Sequence, residues 1–415
     1  MACYYSSPRW TGEIADCSLP VTLDTYSNCS FGCAYCFSQF QRANGACGQK
    51  YLTKSVSAVN VEKVKRIFTG ETDSQFWPYI KDKRPIQWGG LSDQFDNNER
   101  KYGKTLELME FFNELNYPIS FSTKSTWVFH DERYMRLFRK QGRNWNVKLS
   151  IITLNEHNAY IIEQGVDSPR KRLEAMKILS DAGTLTTLRM RPFILGVTSK
   201  DYVELITAAK QNGATALSTE FLCIERRGLG KQSTKENFDR ISRIAGFDIV
   251  DFYVKNTSGC GYLRLNREIK APYINKIKEV CNGLGLRCYI SDAHFKECCN
   301  NSCCCGLNSD WKYSRGNFSY ALQVAREKGE VHFRDIEKDM YFLNFPWCKA
   351  EGYNTGSAER RAQFHNYTMK DYLHYLWNTP SSSNSPQGAF GFVLKAKGRD
   401  ENGDVVYVFN KNRTL

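Results

Sequence analysis

The alternation of short β-rich runs with amphipathic helical runs between about residues 19 and 220 most constrains the fold of this chain. The candidate strands are 19–25, 85–88, 119–122, 147–152, 186–191 and 216–222. The candidate helices are 61–68, 105–115, 133–140, 169–181 and 200–212. Six strand–helix repeats predict a parallel sheet that closes, or nearly closes, into a partial (β/α)6 barrel of the TIM type. In such barrels the chemistry lies at the C-terminal ends of the strands.

After about residue 226 the alternation becomes irregular. We expect helices near 269–282, 320–328 and 369–377, and a strand near 287–290 that leads into a cysteine-dense loop. The run 379–387 is rich in Ser, Pro and Asn and is typical of a linker, and a β-hairpin is predicted around residues 400–403. The sequence therefore predicts three parts: the barrel over 1–225, a cysteine-rich C-terminal α/β extension over 226–378, and a linker with a terminal hairpin over 379–415.

Cys29, Cys33 and Cys36 follow the first candidate strand with the spacing C-x3-C-x2-C. Three thiolates on one loop can bind three irons of a cubane 4Fe–4S cluster and leave the fourth iron without a protein ligand. That open iron can bind the amino and carboxylate groups of S-adenosylmethionine (SAM) and pass one electron into its carbon–sulfur bond. Gly32 can adopt a positive φ, which lets the loop wrap closely around the cluster. Tyr35 would shield the cluster.

Two other interpretations of these thiols are open. A structural zinc ion usually needs a fourth ligand nearby, and Cys47 is not at a usual distance along the chain. The other interpretation is buried free thiols, which we expect for several of the 16 cysteines, among them Cys3, Cys17 and Cys47. A disulfide scaffold is not expected, because such proteins are short and carry export signals. The N-terminus lacks the pattern of a signal peptide, which predicts a cytoplasmic protein.

At the three cysteines the sequence resembles the radical SAM superfamily. Further segments, in order along the chain, resemble landmarks of its spore photoproduct lyase-like branch: Trp88-Gly-Gly-Leu-Ser-Asp93 through Glu99, Ser122-Thr-Lys-Ser125, Leu149-Ser150-Ile-Ile-Thr153, Ser168-Pro-Arg-Lys-Arg-Leu-Glu-Ala-Met176 and Arg191-Pro-Phe-Ile-Leu-Gly196. The resemblance covers roughly residues 15–225. It implies a partial (β/α)6 barrel, a SAM-binding 4Fe–4S cluster and, for the best-known members, DNA as the substrate.

The resemblance also implies a SAM site on the rim of the barrel. The ammonium of Lys124 suits the SAM carboxylate as a compact charge, and Ser150 could bond the carboxylate or the ribose. In the absence of a ligand, these residues would be a solvated lysine and an ordinary strand-end serine. The full set of expected SAM contacts is Gly89 and Gly90 at the amino group, Ser92 and Asp93 on the same rim, Lys124, Ser150, Leu195 and Gly196 at the adenine, and Tyr35.

One position departs from the lyase pattern. In the true lyases a cysteine before the Ser-Asp pair returns a hydrogen atom to the product radical, whereas this chain has Gly89-Gly90-Leu91 there. A thymine-dimer repair cycle of the usual kind is therefore not expected. Cys223, at the end of the sixth candidate strand, is the candidate catalytic hydrogen donor, although a buried strand cysteine explains it equally well.

A second group of cysteines lies between residues 292 and 306. One short loop carries five thiols and an imidazole, contributed by His294, Cys298, Cys299, Cys303, Cys304 and Cys305. Adjacent cysteines cannot all bind one ion, so some of them must pack or stay spare. An auxiliary iron–sulfur cluster or a zinc ion would pin a loop that has little apolar core of its own. A set of buried reduced thiols is the alternative.

The net charge of +13 arises from 57 Lys and Arg against 44 Asp and Glu. This surplus favours a polyanionic partner such as nucleic acid, although a soluble basic protein is the plain alternative. A basic loop beyond the sixth strand could hold phosphates, and its cations are Arg226, Arg227, Lys231 and Lys235. A base must leave the duplex to reach a buried radical, which also requires a stacking surface. The candidates for stacking are Trp127, Tyr253 and Tyr262.

These observations favour a radical SAM enzyme, of lyase or isomerase type, that generates a 5′-deoxyadenosyl radical to modify or rearrange a base in DNA. A narrower hypothesis is the isomerisation of an amino-acid-modified thymidine, the reaction of some phage relatives of the lyases. Three alternatives are open: photoproduct repair with another hydrogen donor, radical chemistry on a peptide or small molecule, and a zinc-bearing nucleic-acid-binding protein. A reductant such as flavodoxin or ferredoxin is expected as a partner, and a membrane is not.

Overall fold

A computed structural model describes residues 7–38, 56–257, 262–349 and 358–415 of the 415-residue chain. Cys3 and Cys47, two of the expected packing thiols, lie outside the described residues. Within them, the strands are β1 Arg9–Trp10, β2 Val21–Leu23, β3 Gly32–Cys33, β4 Ile86–Trp88, β5 Ile119–Thr123, β6 Trp145–Ser150, β7 Glu163–Gln164, β8 Leu185–Phe193, β9 Ala216–Phe221, β10 Arg287–Ile290, β11 Glu330–Val331, β12 Leu394–Arg399 and β13 Val405–Phe409.

The helices over the same ranges are α1 Val61–Thr69, α2 Trp77–Lys81, α3 Asn97–Tyr102, α4 Lys104–Glu114, α5 Glu132–Gln141, α6 Glu156–Ile162, α7 Pro169–Asp181, α8 Tyr202–Gln211, α9 Gln232–Ala245, α10 Ile249–Lys255, α11 Arg267–Gly283, α12 Phe318–Lys328, α13 Arg334–Glu337, α14 Ala358–Gln363, α15 Met369–Trp377 and α16 Pro386–Ala389. None of the helices in the described ranges is both long enough and apolar enough to cross a membrane.

Eight strands form one mostly parallel sheet in the order β1-β2-β4-β5-β6-β8-β9-β10. The strands β5, β6, β8 and β9 pair in parallel, and β1 pairs with β2 in the antiparallel sense. Parallel neighbours need a crossover connection, and α5, α7 and α8 supply those between these four central strands. The α/β class and the parallel sheet predicted from the sequence are confirmed.

The two faces of the central strands differ in polarity, because successive side chains of a strand point to opposite sides. On one side Phe121 and Trp145 pack against Phe138 of α5, with ring centroids 5.6 and 5.5 Å away. On the other side the Asn146 amide donates to the Ser120 hydroxyl at 3.2 Å, and its oxygen accepts from the Thr187 hydroxyl at 3.0 Å. A chain of polar side chains therefore crosses three strands.

We call this second side the polar face. Parallel strands that are buried on both faces usually read as continuous apolar runs, so this alternation indicates a face that meets polar groups. The strand registers place its members in rows. The lowest row holds Ser120 and Asn146, the next holds Ser122, Lys148 and Thr187, and the row nearest the carboxyl ends holds Ser150, Arg189 and Ser218.

The chain forms two compact units. The first comprises the described residues of 1–7, 24–61 and 88–288, and the second those of 8–23, 62–87 and 289–415. In the second unit Trp10 stacks on Phe345, with the ring centroids 4.7 Å apart. The expected terminal hairpin is present there as β12 and β13, which form a small sheet in the order β11-β13-β12. The domain boundaries predicted at residues 225 and 378 remain predictions.

Candidate cluster and cofactor site

Cys29, Cys33 and Cys36 lie on one short loop of the first unit, and all three thiols are half-buried. Strand β3 of this loop pairs with β7, which places Cys33 opposite Glu163. The Ala34 N–H donates to the carbonyl of Ile162 at 2.8 Å. The loop is therefore fixed to the segment that follows α6, and its thiols remain partly accessible.

Tyr35, between the second and third cysteines, joins this loop to a buried ion pair. Its hydroxyl donates to the carboxylate of Glu163, whose other oxygen accepts from Arg172 at 2.7 Å. Arg172 also donates to the carbonyl of Ser150 at 2.5 Å. The side chains of Glu163 and Arg172 are 0% and 1% exposed. Burial and the Glu163 carboxylate raise the pKa of Tyr35 well above its usual value, so the hydroxyl stays a donor.

Neither Glu163 nor Arg172 was predicted from the sequence as a site residue. Arg172 lies within the helical landmark that begins at Ser168, so its position in that motif was the available signal. Glu163 gave no such signal, because a glutamate that ends an amphipathic helix usually faces solvent. Only the pairing of β3 with β7 shows that this glutamate is buried beside the cysteine loop.

Lys124 approaches the same loop from the end of β5. Its ammonium nitrogen lies 5.6 Å from the centre of the Tyr35 ring, within the range of a cation–π contact. Burial raises the pKa of the Cys33 thiol to about 12, and the charge of Lys124 acts in the opposite direction. The predicted residues Lys124, Tyr35 and Cys33 are therefore brought together.

The rim residues Ser92 and Asp93 bond to other parts of the first unit. Asp93 accepts from the Thr123 hydroxyl at 2.8 Å and from the Lys124 N–H at 2.7 Å. The Ser92 hydroxyl donates to the carbonyl of Tyr26 at 2.9 Å. Both side chains fix the geometry of the rim, and their contact with SAM remains a prediction.

Two carboxylates influence the first cysteine of the loop. Burial raises the pKa of Cys29 well above its usual value, and Asp96 and Asp93 raise it further. Asp96 accepts from the Ser30 N–H at 2.5 Å, and burial raises the pKa of Asp96 to about 6. An isolated thiolate is therefore disfavoured at Cys29. A bound cation would reverse this preference, because metal ligation deprotonates a thiol.

The three thiols were predicted to bind a cluster, with a single zinc ion as an alternative. Among the described residues, no three His, Cys, Asp or Glu side chains converge so that they could hold one metal ion. A four-coordinate zinc requires such convergence. A cubane cluster binds each thiolate through a different iron, so its ligands lie farther apart than those of one ion. Three thiols on one loop are the donor set that a 4Fe–4S cluster takes, and their ligation of a cluster remains a prediction.

Gly89, directly after β4, has a φ of +89° and lets two polar groups come close. A Cβ at this position would lie 2.2 Å from Gln94 Oε1 and 2.6 Å from the Ser122 carbonyl oxygen. Both polar atoms of the Gln94 carboxamide and the Ser122 hydroxyl are buried, and they make no hydrogen bond within the described part of the chain. Buried polar groups are nearly always paired, so the absence of a partner for these atoms is unusual.

The remaining predicted contacts have structural roles of their own. A Cβ on Gly196 would lie 2.7 Å from the backbone of Ala245, so close packing on α9 accounts for the glycine. Leu195 is buried beside it. Cys223 is half-buried, and its thiol donates to the carbonyl of Phe221 at 3.6 Å. The adenine contact of Leu195 and Gly196 and the hydrogen-donor role of Cys223 remain predictions.

The second cysteine group lies in the second unit, where its thiols meet different partners. Cys299 Sγ lies 3.0 Å from the nitrogen and 3.2 Å from the oxygen of the Ile290 backbone. Cys305 Sγ lies 3.5 Å from Gln87 Oε1. Within the described ranges these thiols form no group for a single ion. A metal or cluster held by His294, Cys298, Cys299, Cys303, Cys304 and Cys305 remains a prediction.

The basic segments differ in how far their charge is compensated. On α5 three arginines form ion pairs, Arg133 with Asp131, Arg136 with Glu110 and Arg139 with Glu132. Beyond β9, in contrast, three exposed cations form no ion pair with a described residue, namely Arg226, Lys231 and Lys235. The expectation that Tyr253 stacks on a base is wrong, because the side chain is fully buried in α10.

No family model and no curated protein matches the chain. Among solved structures, spore photoproduct lyase complexed with dinucleoside spore photoproduct is 15% identical, over 68% of this chain and 79% of that one, with a TM-score of 0.49. SuiB of Streptococcus suis bound to S-adenosylmethionine is 16% identical over 49% of this chain and 41% of that one, with a TM-score of 0.36. The role of each residue therefore rests on this chain's own contacts. The solved structures similar to this chain include the spore photoproduct lyase that its sequence motifs resemble.

Proposed function

We propose that this chain is a radical SAM enzyme that modifies or rearranges a base in DNA. The proposal is carried by one observation: three half-buried thiols, Cys29, Cys33 and Cys36, share a loop that Tyr35 fixes beside Lys124. A 4Fe–4S cluster with SAM bound to it supplies one-electron cleavage of SAM to a 5′-deoxyadenosyl radical, which abstracts a hydrogen atom from the substrate.

The chain's own residues would orient SAM in three ways. The thiolates of the loop would hold three irons and leave one open. Lys124 would bind the SAM carboxylate, because its ammonium is a compact charge held beside the loop. Gln94 and Ser122 would bond the amino-acid end of SAM, which supplies partners for their buried polar atoms.

The net charge and its distribution favour DNA as the substrate. The chain carries +13, and the cations that form no ion pair with a described residue include Arg226, Lys231 and Lys235, just beyond the carboxyl end of β9. Chemistry in α/β sheets occurs at this end of the strands, so phosphates held here would lie near the reacting base.

The type of reaction is inferred from the segment that follows β4, which carries no thiol. The segment 89–91 reads Gly-Gly-Leu, so no cysteine there could return a hydrogen atom to a product radical. An isomerisation does not need one, because the rearranged radical can take its hydrogen back from 5′-deoxyadenosine. We therefore favour rearrangement of a modified base, including an amino-acid-modified thymidine, over photoproduct repair.

Anaerobic reconstitution tests the proposal. Protein loaded with iron and sulfide, then given SAM and dithionite, should form 5′-deoxyadenosine, and Cys33→Ser should abolish it. When DNA that carries modified thymidine is added, the enzyme should convert that base. A protein that binds one zinc ion per chain and forms no 5′-deoxyadenosine would overturn the proposed radical chemistry. A different outcome would favour a peptide or small-molecule substrate. In that outcome DNA does not change the rate of SAM cleavage, and the protein does not bind DNA at moderate salt.

A further inference from the structure

The buried pair of Glu163 and Arg172 connects the cysteine loop to the end of a central strand. Arg172 on α7 donates to the carbonyl of Ser150, the last residue of β6, and to the carboxylate of Glu163 in β7. Glu163 accepts from the hydroxyl of Tyr35, which lies between two of the cysteines. A chain of three charge-assisted hydrogen bonds therefore runs from the end of β6 through Arg172 and Glu163 to the loop.

Stability alone does not explain a pair in this position. The removal of two charges from water is expensive, and well-packed apolar residues of similar volume are often as stable or more stable. Buried ion pairs are best attested where they fix a particular arrangement of the chain. Here the pair fixes the distance between the loop that carries the thiols and the strand end that carries Ser150.

The same helix offers a comparison. Arg170 and Glu174 on α7 also form an ion pair, at 2.9 Å, but their side chains are 70% and 51% exposed. An exposed pair of this kind contributes little to stability. Arg170 also lies 3.9 Å from Glu156 of α6, and that carboxylate is exposed as well. Both arginines lie on α7, and the two pairs differ in burial and in their connection to the cysteine loop, which makes the exposed pair a control.

We propose that Glu163 and Arg172 are positioning residues that act through the hydroxyl of Tyr35. They hold the cysteine loop at a set distance from the end of β6, and so they set where a cluster on that loop lies relative to SAM. The inference rests on the proposed function, because only a bound cluster and SAM make this distance matter.

Four variants test the inference. Tyr35→Phe removes the link to the loop and leaves the ion pair intact. Glu163→Leu with Arg172→Met removes the pair without leaving a buried charge unpaired, and a triple variant combines all three changes. Arg170→Met with Glu174→Leu is the control on the exposed side of α7. Each protein is reconstituted and compared by iron and sulfide content, by melting temperature, and by the EPR spectrum of the reduced cluster before and after SAM is added.

We expect Tyr35→Phe and the Glu163/Arg172 variant to bind as much iron as the wild type but to show a weaker EPR response to SAM. Their affinity for SAM should fall about tenfold, the equivalent of one hydrogen bond. The triple variant should resemble the double variant, because residues that act in one chain of contacts are not additive. The control should behave as the wild type.

A purely structural role predicts a different pattern. In that case the melting temperature falls while the EPR response to SAM stays that of the wild type, and this result would overturn the inference. Full additivity in the triple variant would also overturn it. If the Glu163/Arg172 variant does not fold, Tyr35→Phe decides alone, since it keeps the ion pair. A wild type that forms no cluster at all would instead overturn the proposed function.

Discussion

At the scale of single residues, Gly89 allows the Gln94 carboxamide and the Ser122 carbonyl to lie close to its own Cα. We expect Gly89→Ala to destabilise the protein for two reasons, the positive φ and the clash of its Cβ with both groups. The positive φ alone costs about 1–2 kcal/mol. Gly103→Ala is the control, since its φ is +63° and its Cβ would meet nothing within 4 Å. Urea unfolding should show the larger loss at Gly89, and equal losses would contradict the clash.

The buried polar atoms of Gln94 and Ser122 lead to a prediction about ligand binding. Gln94→Leu and Ser122→Ala should each weaken SAM binding about tenfold, because each removes one hydrogen bond to the amino-acid end. Binding of methylthioadenosine, which lacks that end, should stay unchanged. Equilibrium dialysis under anaerobic conditions measures both affinities.

Ser120→Ala is the matched control for Ser122→Ala. Ser120 lies on the same strand and the same polar face, but its hydroxyl accepts a hydrogen bond from Asn146. We expect Ser120→Ala to lower the stability of the protein without weakening SAM binding more than methylthioadenosine binding. If the Gln94 and Ser122 variants lose both ligands equally, these residues do not recognise the amino-acid end.

Single residues also show what the sequence could and could not predict. Motif order identified Tyr35 and Lys124 together with the three cysteines, because the spacing of thiols restricts the chemistry to few choices. Gln94 and Glu163 escaped prediction, because a glutamine in a loop and a glutamate at a helix end are usually solvated. Their burial follows from contacts between segments far apart in the chain, which periodicity does not encode.

At the scale of elements, the eight helices predicted from periodicity are present, although α9 and α10 were not predicted. The predicted strands of the large sheet are present as well, whereas the two-residue strands β1, β3, β7 and β11 were not predicted. The helix expected at 169–181 is α7, with Ser168 as its N-cap and Gly183 at a φ of +80° beyond its end. These signals are local, so the sequence alone sufficed. The two-residue strands β3 and β7 carry no periodic signal, yet their pairing is what fixes the cysteine loop.

The loop between β9 and α9, together with the first turn of α9, gives a prediction about DNA binding. Conversion of Arg226, Lys231 and Lys235 to Gln should weaken DNA binding and reduce its dependence on salt. The slope of log K against log salt should become less steep by about 0.9 for each phosphate that the variant no longer neutralises. Fluorescence anisotropy with duplex DNA over a range of salt concentrations measures this slope.

The control for the loop lies on α5. Arg133, Arg136 and Arg139 already form ion pairs, so their conversion to Gln should change the salt slope less. An equal effect of both sets would show that the net charge, rather than the loop, attracts DNA.

At the scale of the whole molecule, cluster binding should be linked to stability. A ligand that binds only the folded state raises the melting temperature, and a cluster would join the cysteine loop more firmly to β7. We expect anaerobically reconstituted protein to melt at a higher temperature than iron-free protein. Cys33→Ser should abolish the difference, whereas Cys348→Ser, an exposed thiol of the second unit, should preserve it. Calorimetry under anaerobic conditions measures the melting temperatures of the reconstituted and iron-free proteins. If reconstitution raises the melting temperature of Cys33→Ser as much as that of the wild type, the assignment of the ligands is contradicted.

The polar face of the central strands has a consequence for how this protein can change. Side chains alternate between the two faces with a period of two, so a shift of one residue exchanges the faces of a strand. Loss of one residue before Lys148 would turn Val147 and Leu149 toward the polar face and present charge to α5. Exchange of one polar side chain for another keeps this alternation. We therefore expect homologous chains to differ freely in the composition of these strands and hardly at all in their length.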